Sequence, residues 1–267
     1  MENCFMEKPK VVILCGGMGT RLREETEFKP KPLVRVGEYP ILWHIMKTYS
    51  HYGFNDFVLC LGYKGEEIVR YFTNYRDTND MTLNPRTRTR TLHGSRDYTP
   101  NWNITFAHTG LKSNTGSRIK QIEKYIPSDN FMVTYGDGVA DVNIEQLSRF
   151  HHVHGKIATV TAVHPPPRFG TLKIDEEMLV QAFEKDKRSE DSWIDGGFFI
   201  FNRRIFDYLT TDIGCMLEGD TLPQLVKENN LKAYKHTGYW QCMDNVRDVE
   251  TLNQIWDDGK APWKVWK

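Results

Sequence analysis

Val11-Val12-Ile13-Leu14-Cys15-Gly16-Gly17-Met18-Gly19-Thr20-Arg21-Leu22 is the stretch that decides the fold. Its first five residues are apolar and rich in β-branched side chains, and a glycine cluster follows at once. A short run without polar alternation predicts a strand buried on both faces, as in parallel sheets. The three glycines then permit a tight loop and a close approach of a ligand to the backbone. Successive N–H groups of such a loop can cradle phosphate, and Arg21 adds a cation with a two-pronged fork.

The neighbouring segments repeat this order. Ile41 to Tyr52 has helical period, with Leu42, Ile45, Met46 and Tyr49 on one face, and Gly53 stands where a helix stops. Asp56 to Leu61 is a second apolar strand, ended by Gly62, and Glu66 to Tyr75 reads as a second helix. Strand, loop, helix and strand in succession predict the α/β class, with a Rossmann-like, mostly parallel central sheet flanked by helices. Asp77 to Pro100 is rich in Thr, Arg, Asn and Asp without apolar period, which predicts a long loop or a mobile hairpin. Trp102 to Ala107 and Phe131 to Tyr135 read as strands, and Arg118 to Ile126 as a helix. The second half reads as more β-rich: Lys156 to Val163, Gly170 to Ile174, Leu179 to Phe183, Gly197 to Phe201 and Lys232 to His236. Pro165, Pro166 and Pro167 break the chain between two of these. Ile205 to Leu209, Leu222 to Glu228 and Val246 to Trp256 read as helical, and a tryptophan-rich tail follows.

Composition removes several function classes. The chain has 267 residues, and its 35 basic side chains balance 35 acidic ones. A neutral chain offers no global attraction to nucleic acid or to an anionic membrane. The apolar runs are strand-sized, and Met1 to Lys10 lacks the apolar core of a signal peptide, so a cytoplasmic protein is expected. The five cysteines are scattered without a paired spacing, which predicts reduced thiols rather than a disulfide frame or zinc site. The nine histidines show no convergent metal spacing.

The glycine loop matches neither the usual P-loop nor the dinucleotide fingerprint. What singles it out is Lys29-Pro30-Lys31-Pro32. Prolines on both sides of Lys31 restrict its backbone and preset the direction of its side chain, beyond what a solvated lysine needs. Asp137, in Gly136-Asp137-Gly138 at the end of a strand, reads either as a turn cap or as a ligand-binding carboxylate. Asn114 to Arg118 is either a helix N-cap or a polar cradle for phosphate or base.

Gly16 to Leu22, a short spacer and Lys29 to Val34 are together similar to the signature of the sugar-nucleotide pyrophosphorylases. The resemblance extends through Leu22 to Thr26, Pro40 to Lys47, Gly62 to Gly65, Thr134 to Asp141, Arg168 to Gly170, Gly196 to Phe199, Trp240 to Asp248 and Gly259 to Trp266. Within that family it points to the members that join CTP to glucose 1-phosphate. Several implications follow from the resemblance. Leu14, Cys15, Gly16, Gly17, Met18, Gly19, Thr20 and Arg21 bind the triphosphate, and Arg21 and Lys31 are catalytic. Ser113, Thr115, Arg118 and Gly136 complete the nucleotide site. Asp137 and Asp244 hold Mg²⁺, while Lys185, Asp195 and Gly196 bind the sugar phosphate. The implied organisation is one domain over residues 9–267. Residues 9–150 form its nucleotide-binding half, and residues 151–267 its sugar-binding half and tail. The family also implies a homo-oligomer, a hexamer being one form. Asp186 replaces the family's proline after Glu184-Lys185, Asp195 replaces its asparagine, and Thr87 to Asn101 departs from the pattern. All three bear on the acceptor half. Trp256, Trp263 and Trp266 are expected to pack on the core or a neighbouring subunit rather than stack on a base.

Overall fold

The computed structural model describes residues 8–74, 80–87, 89–93, 100–165, 171–174, 178–184 and 192–267. Seven strands form the central sheet, numbered in chain order: β1 (Val11–Leu14), β2 (Asp56–Leu61), β3 (Asn103–His108), β4 (Asn130–Tyr135), β5 (Ala158–Val163), β6 (Ile194–Asn202) and β7 (Leu231–His236). Their spatial order is β7-β5-β6-β4-β1-β2-β3. Every neighbouring pair is parallel except those made by β6, which runs antiparallel to both β4 and β5. The chain runs outward from β1 through β2 to β3, then returns to lay β4 on the other side of β1. That reversal opens a crevice at the carboxyl ends of β1 and β4, where sheets of this kind bind ligands.

Both faces of β1 are covered, as its unbroken apolar run requires. Val11 and Ile13 belong to one core cluster, with Phe57, Leu59, Met132 and the helix Ile41–His51. Val12 and Leu14 belong to the other, with Val58, Cys60, Phe131 and Val133. Strand period two divides each strand between the two cores. The aromatic tail packs into the first. Trp263 is fully buried and Trp266 nearly so, and Trp266 meets the Trp43 ring edge-on at 5.7 Å. Cys15, Cys60, Cys215 and Cys242 are free thiols, while Cys4 lies outside the described residues. Among the described residues, no helix is long and apolar enough to cross a membrane.

One segment takes the second of its two expected forms, and one helix differs from its sequence reading. Within Asp77 to Pro100, Asp80–Asn84 and Thr89–His93 pair antiparallel, so the segment contains a hairpin. The Asn84 side chain accepts from the N–H groups of Arg86 and Thr87 and closes its turn, a local bond that apolar periodicity does not register. The helix expected over Arg118 to Ile126 begins earlier, at Thr115, and gives way after Gln121 to a 3₁₀ turn at Glu123–Tyr125. Asn114 stands at its N-cap without a side-chain capping bond.

That early start places Arg118 beneath the loop that follows β1. Only 4% exposed, its guanidinium donates to the carbonyls of Gly16 (3.2 Å), Leu61 (3.2 Å) and Gly110 (2.8 Å) and to Thr109 Oγ1 (2.8 Å). One side chain therefore pins the loops after β1, β2 and β3. Glycine makes room for it. A Cβ on Gly16 would lie 2.2 Å from the Arg118 guanidinium carbon, and one on Gly62 would lie 2.6 Å from the Gly16 carbonyl oxygen.

Two outcomes are expected from these contacts. Gly62→Ala overpacks the junction against backbone, so urea denaturation should find it about 1–3 kcal/mol less stable than wild type. An unchanged midpoint would mean the three loops are not locked together. The second concerns His44, which is fully buried; its Nδ1 accepts from Trp263 Nε1 at 3.3 Å, leaving Nε2–H to donate to the Val36 carbonyl at 2.9 Å. Burial pushes its pKa down to about 4. The unfolded chain takes up this proton near pH 6.5 and the native state near pH 4, so stability is full above the higher value and falls between the two. Acidification from pH 7.5 to 5 should cost about 2 kcal/mol through this residue. In pH-resolved denaturation, His44→Gln should lose correspondingly less over that interval.

Candidate active site

The crevice at the β1–β4 junction is a cleft of about 390 Å³. Its floor is Leu14, Cys15 and Gly16, and the loop turns over it through Gly17, Gly19, Thr20 and Arg21. Gly19 adopts φ 62°, a left-handed conformation suited to glycine, and its carbonyl accepts from Thr26 Oγ1 at 3.1 Å. Met18 turns away: it is 54% exposed and lines a separate surface depression with Arg23 and Tyr63. Gly136 follows β4 and donates its N–H to the Leu14 carbonyl at 3.1 Å, bringing the next residue, Asp137, to the mouth of the cleft.

Asp244 reaches the same mouth from far along the chain. The strand Trp240–Cys242 pairs antiparallel with Gly138–Ala140, and Met243 N–H donates to the Asp137 carbonyl at 2.8 Å. Asp248 accepts from the Asp244 N–H at 2.9 Å through the first turn of the helix Val246–Asp257, which fixes the entry to that helix. Lys31 bridges the two carboxylates. Its Nζ lies 2.6 Å from Asp137 Oδ2 and 2.7 Å from Asp244 Oδ1. Burial disfavours the Lys31 ammonium, but the Asp137 and Asp244 carboxylates outweigh it and hold the pKa above the usual lysine value. Burial likewise opposes the Asp244 carboxylate, and the Lys31 hydrogen bond and charge hold its pKa below the usual range. Arg21 extends from the loop to 3.5 Å from Asp244 Oδ2, with a side chain 77% exposed.

The remaining expected residues divide. Ser113, Thr115 and Arg118 line the far wall of the cleft. Ser113 accepts from Gln121 Nε2 at 3.3 Å, and Thr115 donates to Glu218 Oε2 at 2.7 Å. Asp195 and Gly196, on β6, do not line the cleft itself but stand beyond Tyr135, which does. Asp195 Oδ1 accepts from Gly197 N–H at 2.7 Å, and the buried Gly196 carbonyl accepts from Trp240 Nε1 at 2.7 Å. Lys185 lies outside the described residues, as do Asp186 and Arg168.

Two residues join the site that the sequence reading did not single out. The Tyr135 hydroxyl donates to Glu218, and it lies 3.5 Å from Asp195 Oδ2. Burial and these two carboxylates keep the phenol protonated. Gly197, at φ 76°, makes the space for its ring: a Cβ there would lie 2.5 Å from Tyr135 Cδ2. The cleft thus has a mouth where the cations Arg21 and Lys31 are balanced by Asp137 and Asp244, ready to take a polyanion together with a cation, and an acidic wall behind Tyr135. A partner rich in hydrogen-bond donors fits that wall.

Known proteins resemble this chain in sequence and in fold. The glucose-1-phosphate cytidylyltransferase of Salmonella typhi is 45% identical over 260 residues, covering 97% of this chain and 100% of that protein. HddC from Yersinia pseudotuberculosis superposes with a TM-score of 0.67 at 24% identity, over 93% of this chain and 100% of its own. A UDP-glucose pyrophosphorylase solved with UDP-glucose superposes at 0.68 with 14% identity, over 95% and 100% of the two chains. These two likenesses bear on the fold alone. The family model described as nucleotidyl transferase matches residues 10–259, which takes in the glycine loop, Lys31, Asp137 and Asp244. Through that match and the full-length identity, the chain belongs to the nucleotidyl transferase family.

Proposed function

We propose that this protein joins CTP to α-D-glucose 1-phosphate, giving CDP-glucose and pyrophosphate, with Mg²⁺ as cofactor and as a homo-oligomer. The observation that carries the reading is the convergence of Lys31, Asp137 and Asp244 at the open end of the glycine-loop cleft, in a chain whose full-length relative has that activity in its name. The donor set suits a hard cation: two carboxylates from separate strand ends point at one spot, and a cationic group already sits there. Asp137 and Asp244 would hold Mg²⁺, which when bound supplies charge neutralisation to the triphosphate.

In this reading a phosphate oxygen of the sugar phosphate attacks the α-phosphorus in line. The new O–P bond forms as the bond to the β-phosphate oxygen breaks, and pyrophosphate leaves. The nucleophile is already an anion, so the protein needs no strong general base and acts by positioning and charge. The loop from Leu14 to Thr20 presents N–H groups to the triphosphate, with Gly136 leaving room beside it. Ser113, Thr115 and Arg118 form the nucleotide wall. Arg21 faces the leaving pyrophosphate, and Lys31 neutralises charge that builds on the α-phosphate. Lys185 would hold the acceptor phosphate, and Asp195 and Gly196 the sugar side, where the carboxylate of Asp195 accepts hydrogen bonds and cannot donate them.

Pyrophosphate release over a panel of CTP, UTP, dTTP, ATP and GTP against several sugar 1-phosphates tests the whole reading. Turnover is expected with CTP and glucose 1-phosphate; a preference for another pair would overturn the substrate assignment. Lys31→Ala should lower kcat about 10²- to 10³-fold while changing the CTP KM by no more than a few-fold. A kcat left at the wild-type level would remove Lys31 from the chemistry.

A further inference from the structure

The spot toward which Asp137 and Asp244 converge is filled by the Lys31 ammonium, at 2.6 and 2.7 Å. Pro30 and Pro32 flank Lys31, and Pro32 packs beside Gly136, so its backbone is fixed while its stem can swing. Only 13% of the Lys31 side chain is exposed, so its charge depends on these two carboxylates. With Arg21 against Asp244, two cations face two anions and the cluster is neutral as it stands. A divalent ion arriving alone must compete with the ammonium for the same oxygens and leaves the cleft with excess positive charge. Arriving on a triphosphate, it brings compensating anions, and those anions give Lys31 a new partner.

We propose that Lys31 is the resident cation of the carboxylate pair, and that the divalent ion displaces it only when nucleotide enters at the same time. The same ammonium then serves two places in turn, first bridging Asp137 and Asp244 and afterwards facing the α-phosphate. No covalent bond changes in this exchange. It prevents the bare ion from occupying the cleft unproductively and makes the metal–nucleotide complex the species that binds. The inference rests on the assignment of Asp137 and Asp244 to the metal.

Mn²⁺ binding to the full chain, read from the loss of the free-ion EPR signal, tests the exchange without turnover. Wild type without nucleotide should bind Mn²⁺ weakly, and α,β-methylene-CTP should tighten binding at least about tenfold. Lys31→Met without nucleotide should already bind Mn²⁺ at least about tenfold more tightly than wild type, and Mn²⁺ should raise its Tm but not that of wild type. Lys31→Gln replaces it should the Met variant fail to fold. Equal Mn²⁺ affinity in wild type and the Lys31 variant, abolished in Asp137→Asn/Asp244→Asn, would overturn the exchange and leave the metal assignment standing. Mn²⁺ binding untouched by the double aspartate variant would overturn both.

Discussion

The ion triad of Lys31, Asp137 and Asp244 is the constraint on which the cleft depends. Two carboxylates this close would repel one another, and a half-buried lysine without a partner would be costly. Each charge is tolerable only because the others are present. The triad also draws together three parts of the chain that sequence order separates: the segment after the glycine loop, the end of β4 and the turn before the last helix. The short pairing of Gly138–Ala140 with Trp240–Cys242 and the Met243 bond to Asp137 hold that arrangement in backbone, so its geometry does not rest on side chains alone.

Arg118 plays the complementary part on the other side of the loop. The bonds that pin it go to carbonyls and a hydroxyl, so it organises backbone dipoles rather than cancelling an anion. Burial pulls its pKa down, yet a guanidinium keeps its charge far beyond neutrality. The far wall of the cleft therefore retains a fixed positive charge, distinct from Arg21 and Lys31, which are paired with the carboxylates at the mouth. Thr115 and Tyr135 meet on Glu218, which ties the far wall of the cleft to the side where Asp195 stands.

Much of this was legible in residues 11–34, because a buried strand, a glycine loop and a proline-fenced lysine are local features whose physics is written in consecutive residues. The doubly wound order and the buried aromatic tail were also readable from period and composition. The antiparallel course of β6 was not, since an apolar run buried on both faces looks the same in either direction. Tyr135 and Glu218 escaped notice because their link is tertiary: one residue ends a strand, inside the Thr134 to Asp141 motif but without a role of its own there, and the other lies 83 positions on. Met18 was grouped with the loop around it, although only the backbone of such a loop needs to face the cleft. For Arg118 the residue was found and its position was not, because the depth of a side chain is set by the glycines opposite it.

The union of His44 with Trp263 spans 219 residues, and it gives the chain a temporal order as well as a shape. During synthesis the glycine loop and the helix that carries His44 emerge well before Trp263, 219 positions after His44, closes the aromatic layer over that helix. Until then the early half must wait with an open apolar flank, the condition in which nascent chains need chaperone shelter. A chain interrupted between Asp248 and Trp263 would thus hold every residue that lines its cleft and lack the ring that closes its core.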